Sequence, residues 1–263
     1  MAGAFEVDDI LAVEEPLEIQ LVFGPNGSRT TKSISVTMRT PGHDSDLAVG
    51  FLFTEGIIHG IKDIIGVTSI SENVVQIALH ENIAPALTGL DRNFYTTSSC
   101  GVCGKTSLDA VRVAAPFERT QDHLQLSTSL IHQLPEKLRE QQNIFDQTGG
   151  LHASALFDIH GELLLLYEDV GRHNALDKLV GAALQKGWLP LGNHLLLLSG
   201  RISFELVQKA VMAGIKVVAA VGAPSSLALT LALEHNITLI GFLRENRFNI
   251  YSGDQRIING RLA

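Results

Sequence analysis

Cys100 and Cys103 are the only cysteines among 263 residues, and they stand in Thr96-Thr97-Ser98-Ser99-Cys100-Gly101-Val102-Cys103-Gly104-Lys105. A thiol pair at this spacing serves sulfur transfer, dithiol redox exchange or one half of a zinc site. The segment is small, polar and bordered by glycine, which suits a tightly turned loop better than a packed core. A helix starting after it and the Lys105 ammonium would both lower a thiol pKa, and the thiolate is the attacking species. Cys100, farther from that helix, is the freer nucleophile. Zinc would need two further ligands and no other cysteine exists, which disfavours a zinc site without closing that reading.

A second set of chemically capable residues gathers where predicted strands run out into turns. One turn carries Arg172, His173 and Asn174 within Glu168 to Lys178, and the next carries Ser199, Gly200 and Arg201. A third holds Ser225 within Gly222 to Ser226, and a fourth is Phe242-Leu243-Arg244-Glu245-Asn246-Arg247. In an open α/β sheet ligands bind at the carboxyl ends of strands, where helix N-termini offer free amides to phosphate. The arginines add bidentate donors. His152 follows the Gly149-Gly150 pair and precedes small residues, a pattern that lets a ligand approach the backbone closely. Each residue also has a plain structural reading. Ser203 and Ser225 suit helix caps, Asp169 or Asp177 would pair with a nearby arginine, and His152 suits a satisfied core position.

The elements that must hold these groups follow from periodicity. Leu17, Ile19 and Leu21, then Ile34, Val36 and Met38, alternate as half-buried strands around a hairpin at Gly24 to Gly27. Asp44 or Ser45 would cap a helix carrying Leu47, Phe51 and Leu52 and ending at Gly56. A strand is expected over Val74 to Leu79, a helix over Lys105 to Val113, and another over Ser127 to Gln142 with Leu130, Leu134 and Leu138 on one face and Pro135 as its kink position. Strands at Leu163 to Tyr167, His194 to Leu198, Val217 to Val221 and Ile237 to Leu243 then alternate with helices beginning near Arg172, Ser203 and Ser225. That alternation predicts a parallel sheet covered by helices. The boundary falls between Ala115 and Leu126, dividing the chain into a β-rich part, 1–120, and an α/β part, 121–263.

Composition narrows the function classes. With 45% hydrophobic and 18% charged residues the chain is globular, not disordered. A net charge of -8 without a basic stripe argues against nucleic acid as a partner. No apolar run approaches the roughly 18 residues of a membrane span, so no membrane is expected. Met1 to Pro16 is acidic and lacks the form of a signal sequence, and cysteine is scarce, so the cytoplasm is the expected compartment. No solenoid repeat is present.

These motifs together resemble the FdhD family of formate dehydrogenase accessory sulfurtransferases. The resemblance runs through Ile34 to Arg39 with Thr40-Pro41-Gly42, Phe51 to Ile57, Ser99 to Lys105, Thr148 to Ala155, Glu168 to Lys178, Ser199 to Glu205, Ala223 to Ala228 and Phe242 to Tyr251. It implies that a cysteine desulfurase loads sulfur onto Cys100 as a persulfide. It implies further that the sulfur passes to a molybdenum or tungsten bis(pterin guanine dinucleotide) cofactor destined for formate dehydrogenase. Cys103 matches the second motif cysteine, and Phe242 to Arg247 match the segment associated with the guanine dinucleotide. The implied fold is a cytidine-deaminase-like three-layer α/β domain with a smaller β-rich N-terminal domain, and the implied assembly is a homodimer. The deaminase zinc set is absent, since there is no His-x-Glu at the Gly171-Arg172-His173-Asn174 turn and no Pro-Cys-x-x-Cys at the later turn, so no zinc is expected. Two rivals remain: a cofactor-binding insertion chaperone without sulfur transfer, and a dithiol oxidoreductase.

Overall fold

The computed structural model describes residues 8–87, 115–117, 124–142 and 148–259. The cysteine segment and the helix expected over 105–113 lie outside the described residues.

The first part folds around a four-stranded sheet. Strands β1 (Glu15–Phe23) and β2 (Thr30–Arg39) form a hairpin, and β3 (Ile64–Ser71) and β4 (Val74–Leu79) form another. Pairing β1 parallel to β4 gives the order β2-β1-β4-β3. Alternation does its expected work: Leu17, Ile19 and Leu21 of β1 and Val75, Ile77 and Leu79 of β4 are buried on one face. Helix α1 (Asp44–Thr54) covers that face with Leu47, Leu52 and Phe53. Neither Asp44 nor Ser45 caps it. His43, in a left-handed conformation, occupies the cap position without a side-chain bond, and the Asp44 carboxylate is engaged by buried Arg39, whose Nε and Nη2 each donate to it at 2.9 Å.

The second part is built on a six-stranded sheet. Its strands are β6 (His152–Phe157), β7 (Leu163–Asp169), β8 (Leu195–Leu198), β9 (Val217–Ala220), β10 (Thr238–Arg244) and β11 (Arg247–Ser252), in the order β11-β10-β9-β8-β6-β7. Strands β8, β9 and β10 are parallel as expected. The sheet as a whole is mixed, because β6 lies antiparallel between β7 and β8 and β11 is antiparallel at the edge. The cause is local. Asp158 accepts hydrogen bonds from the amides of His160 and Glu162, closing a tight turn that forces β7 back along β6.

Helices α3 (Arg172–Gln185), α4 (Phe204–Met212) and α5 (Ser226–Glu234) cover one face, and α2 (Thr128–Gln141) covers the other. A short pairing of β5 (Leu126–Ser127) with β12 (Ile257–Ile258) ties the chain end beside α2. The result is an α/β fold with a smaller β-rich first part. One apolar core runs from the four-stranded sheet through α1, α3 and α4 to the near face of the six-stranded sheet, and a second lies under α2. The two parts meet where α1 crosses α3. A Cβ on Gly50 would sit 1.9 Å from the Asp177 carbonyl oxygen, and one on Gly181 would sit 1.9 Å from that of Asp46. Only two glycines allow that approach. Among the described residues no helix is long and apolar enough to cross a membrane.

Candidate functional site

Because β6 runs against its neighbours, its amino end meets the carboxyl ends of β7 to β10 along one edge of the sheet. The edge is fixed mainly by backbone. The Ser199 hydroxyl accepts from the Ala153 amide at 2.8 Å, and the Ser199 amide donates back to the Ala153 carbonyl at 3.0 Å. Gly200 accepts from the Gly222 amide and Gly222 from the Phe242 amide, each at 3.0 Å. A Cβ on Gly222 would lie 2.7 Å from the Gly200 oxygen, so the turns after β8 and β9 nest only with glycine there.

Between this edge and α2 lies a cavity of about 890 Å³, within the range of small-molecule sites. Leu151, His152, Ser199, Val221 and Leu243 form its floor, Pro135, Leu138, Arg139 and Gln142 of the α2 segment one wall, and Arg244 and Glu245 its rim. Arg244 is held in place: its Nη1 donates to the carbonyls of Val221 (2.8 Å) and Leu243 (2.9 Å). Its own carbonyl oxygen lies 3.1 Å from Nδ1 of His132, which ties α2 to the β10–β11 hairpin. The pKa of His152 is lowered from 6.5, first by burial and then by the charge of Arg172, against the opposing pull of Asp169. At neutral pH it is an uncharged imidazole that can donate and accept a hydrogen bond.

Of the residues anticipated from sequence, His152, Ser199, Leu243, Arg244 and Glu245 line this one cavity. Arg172 stands close enough to His152 to act on its charge, and its Nε is buried without a hydrogen-bond partner among the described residues. Arg201, Asn246 and Arg247 are exposed on the neighbouring turns, as is Phe242, which adopts a left-handed backbone in mid-β10. The segment 242–247 is thus a strand turning into a hairpin, not a turn leading to a helix.

Other members of the set serve the fold. Asn174 donates to the Met38 carbonyl at 2.7 Å and to Asp169 at 3.1 Å, and accepts from Thr37. Asp169 pairs with Lys178 at 2.7 Å and accepts from the Thr40 amide, while Lys178 donates to the Thr40 carbonyl. This buried knot locks the end of β2 onto α3. Asp169 and Asp177 therefore pair with lysines, not with the expected arginines. His173 lies 3.4 Å from the Ser203 hydroxyl and 3.9 Å from Glu205, bridging α3 to α4. Ser225 caps α5 through the Ala228 amide, whereas Ser203 makes no side-chain cap.

The α2 wall escaped the sequence reading, which took that helix as packing alone. A signal was present. Ile131, Leu134 and Leu138 form a buried seam, and the next position of that seam is Gln142, an amide 6% exposed. Its Nε2 is buried with no hydrogen-bond partner among the described residues. Also among the described residues, no group of three or more His, Cys, Asp and Glu side chains is placed to hold a metal ion.

Comparison with known proteins identifies the family. The sequence matches the FdhD/NarQ family over residues 12–258. It is 51% identical over 259 residues to the sulfur carrier protein FdhD of Streptomyces avermitilis, covering 95% of this chain and 89% of that protein. It is 41% identical over 254 residues to the sulfur carrier protein FdhD of Saccharolobus solfataricus, covering 97% and 93%. The crystal structure of a candidate formate dehydrogenase accessory protein from Desulfotalea psychrophila shares the fold, with a TM-score of 0.72 at 24% identity across 97% of this chain and 94% of that one. The chain belongs to the FdhD/NarQ family.

Proposed function

We propose that this protein is a sulfur carrier that takes sulfur from a cysteine desulfurase onto Cys100 and delivers it to the molybdenum or tungsten bis(pterin guanine dinucleotide) cofactor of formate dehydrogenase. One observation carries the reading: the identity with proteins named as sulfur carriers extends over 95% of the chain, and the family match spans the segment containing Cys100 and Cys103. In the first step the Cys100 thiolate attacks the terminal sulfur of the desulfurase persulfide. That sulfur–sulfur bond breaks, the desulfurase cysteine leaves as a thiolate, and Cys100 carries the persulfide.

The cofactor is the substrate of the second step, and the cavity under α2 is its dock. Three features support this. The volume of about 890 Å³ suits part of a large ligand. Arg139 and Arg244 on its walls suit phosphate. A rigid backbone lattice forms its floor, which suits holding a ligand in one pose. The protein acts as a homodimer in this reading.

The test is to incubate the protein with a cysteine desulfurase and cysteine and to map added sulfur by mass spectrometry. Wild type is expected to gain one sulfur atom at Cys100, and Cys100→Ala none. Cys103→Ala separates a sulfur acceptor, which would lose label, from a group that only resolves or tunes Cys100, which would not. A chain that gains no cyanolysable sulfur on either cysteine, yet still binds the cofactor, would instead be an insertion chaperone.

A further inference from the structure

We propose that Gln142 is the specificity-determining residue of the cavity, reading the 2-amino-4-oxopyrimidine edge that guanine and pterin have in common. The inference rests on the reading of the cavity as the cofactor's dock, and it says which group in that dock identifies the heterocycle.

Gln142 follows the last turn of α2 and lines the cavity. It is 6% exposed, and its Nε2 is shielded from solvent without a hydrogen-bond partner among the described residues. A buried donor left unsatisfied costs on the order of 1–3 kcal/mol, and a glutamine in an otherwise apolar seam has no packing reason to be there. A small turn of the side chain that brings this donor to the cavity it lines lets a ligand acceptor remove that cost.

The remaining polar lining says which ligand edge fits. Glu136, Glu140 and Glu245 border the same cavity and offer carboxylate acceptors. A site with one amide donor beside carboxylates complements an edge with one carbonyl acceptor beside two nitrogen donors. The 2-amino-4-oxopyrimidine ring presents that pattern: the carbonyl takes the Gln142 Nε2–H, and the ring N–H and 2-amino group donate to a carboxylate. Adenine presents the reverse: a flipped Gln142 amide could accept from its amino group, but only by turning its buried donor away, and a ring lone pair would still face a carboxylate. Arg139 on the α2 wall and Arg244 on the rim are cations available to the attached phosphate.

The experiment is calorimetric titration of the whole protein with GMP, IMP, AMP and neopterin, for wild type, Gln142→Leu and Gln142→Glu, with thermal melts to check that each variant folds. Wild type is expected to bind GMP at least about tenfold more tightly than AMP, the factor of roughly one hydrogen bond, with IMP between them. Gln142→Leu should lose about tenfold for GMP and little for AMP, and Gln142→Glu should reverse the preference towards AMP, which a purely structural role would not do. Tighter binding of neopterin than of GMP assigns the edge to the pterin, and the opposite order assigns it to the guanine. If wild type binds GMP and both variants keep its GMP to AMP ratio, the dock stands and the role of Gln142 is overturned. If wild type binds neither GMP nor neopterin, the dock and this inference both fall. The wild-type ratio alone decides the matter should a variant fail to fold, since a ratio of one overturns the proposal.

Discussion

Lys209 on α4 holds its ammonium 2.9 Å from Oδ1 and 3.0 Å from Oδ2 of Asp177 on α3, with the two residues 5% and 2% exposed. Thr54 at the end of α1 joins them, accepting from Lys209 and donating to Asp177. Burial works against charge on Lys209, but Asp177 and then Glu55 outweigh it and raise its pKa. The ammonium therefore persists at neutral pH, and three helices from both parts of the chain share one ionic contact.

Removing one partner strands the other in the core. Lys209→Met is expected to cost about 3–5 kcal/mol in urea unfolding, whereas Asp177→Leu combined with Lys209→Met should recover most of that loss. A double variant as unstable as the single one would show that the pair contributes more than mutual neutralisation.

The α1–α3 crossing makes a second, sharper demand. Replacing a glycine inside a helix by alanine ordinarily stabilises by roughly 1 kcal/mol. At Gly50 the new methyl would lie 1.9 Å from the Asp177 carbonyl oxygen, and backbone cannot swing away as a flexible side chain would. Gly50→Ala should therefore lower the melting temperature by several degrees or prevent folding, while Gly66→Ala, with nothing within 4 Å of its Cβ, should leave stability nearly unchanged. Equal melting temperatures for the two variants would mean that the helices slide apart at little cost.

How far the sequence reveals this molecule depends on where each residue's partners lie. Strands β1 and β4 were legible because their apolar residues alternate, and β8 and β9 because Leu195–Leu198 and Val217–Ala220 are unbroken buried runs. Strand β3 was not, since most of its residues face solvent and leave no apolar period. Strand β6 was missed for the opposite reason. Its Ala153, Ser154 and Ala155 are buried on both faces and read as a small-residue approach to a ligand. Strand β11 carries exposed Arg247 and Asn249 at an edge and reads as part of a polar turn.

The candidate site divides in the same way. His152, Ser199 and Arg244 were found because ligands gather at strand ends, a rule that needs only the order of elements. Asn174 and Asp169 fit that rule equally well, yet their partners are Met38 and Thr40, more than 120 residues away in the chain. No local pattern announces such a bond. Gln142 is the converse case, a polar residue whose significance depends on which sheet edge its helix faces.

His152 offers a last test, because its charge state reports on the cavity. Its pKa is lowered from 6.5 by burial and by Arg172, so below about pH 6.5 the unfolded chain takes up a proton that the folded chain resists. Stability should therefore fall as pH drops from about 7 to 5, and His152→Gln should flatten part of that slope. Part will remain, because His194 is also lowered by burial. A phosphate that reaches the cavity floor at His152 would offset the charge of Arg172 and raise the His152 pKa, so its binding there is accompanied by proton uptake. Affinity for GDP should then rise as pH falls from about 8 to 6, and by more in wild type than in His152→Gln. Comparing the two at each pH cancels the titration of the phosphate itself. Identical slopes would put the bound phosphate away from His152, and with it the floor of the cavity, which His152 shares with Ser199 and Leu243.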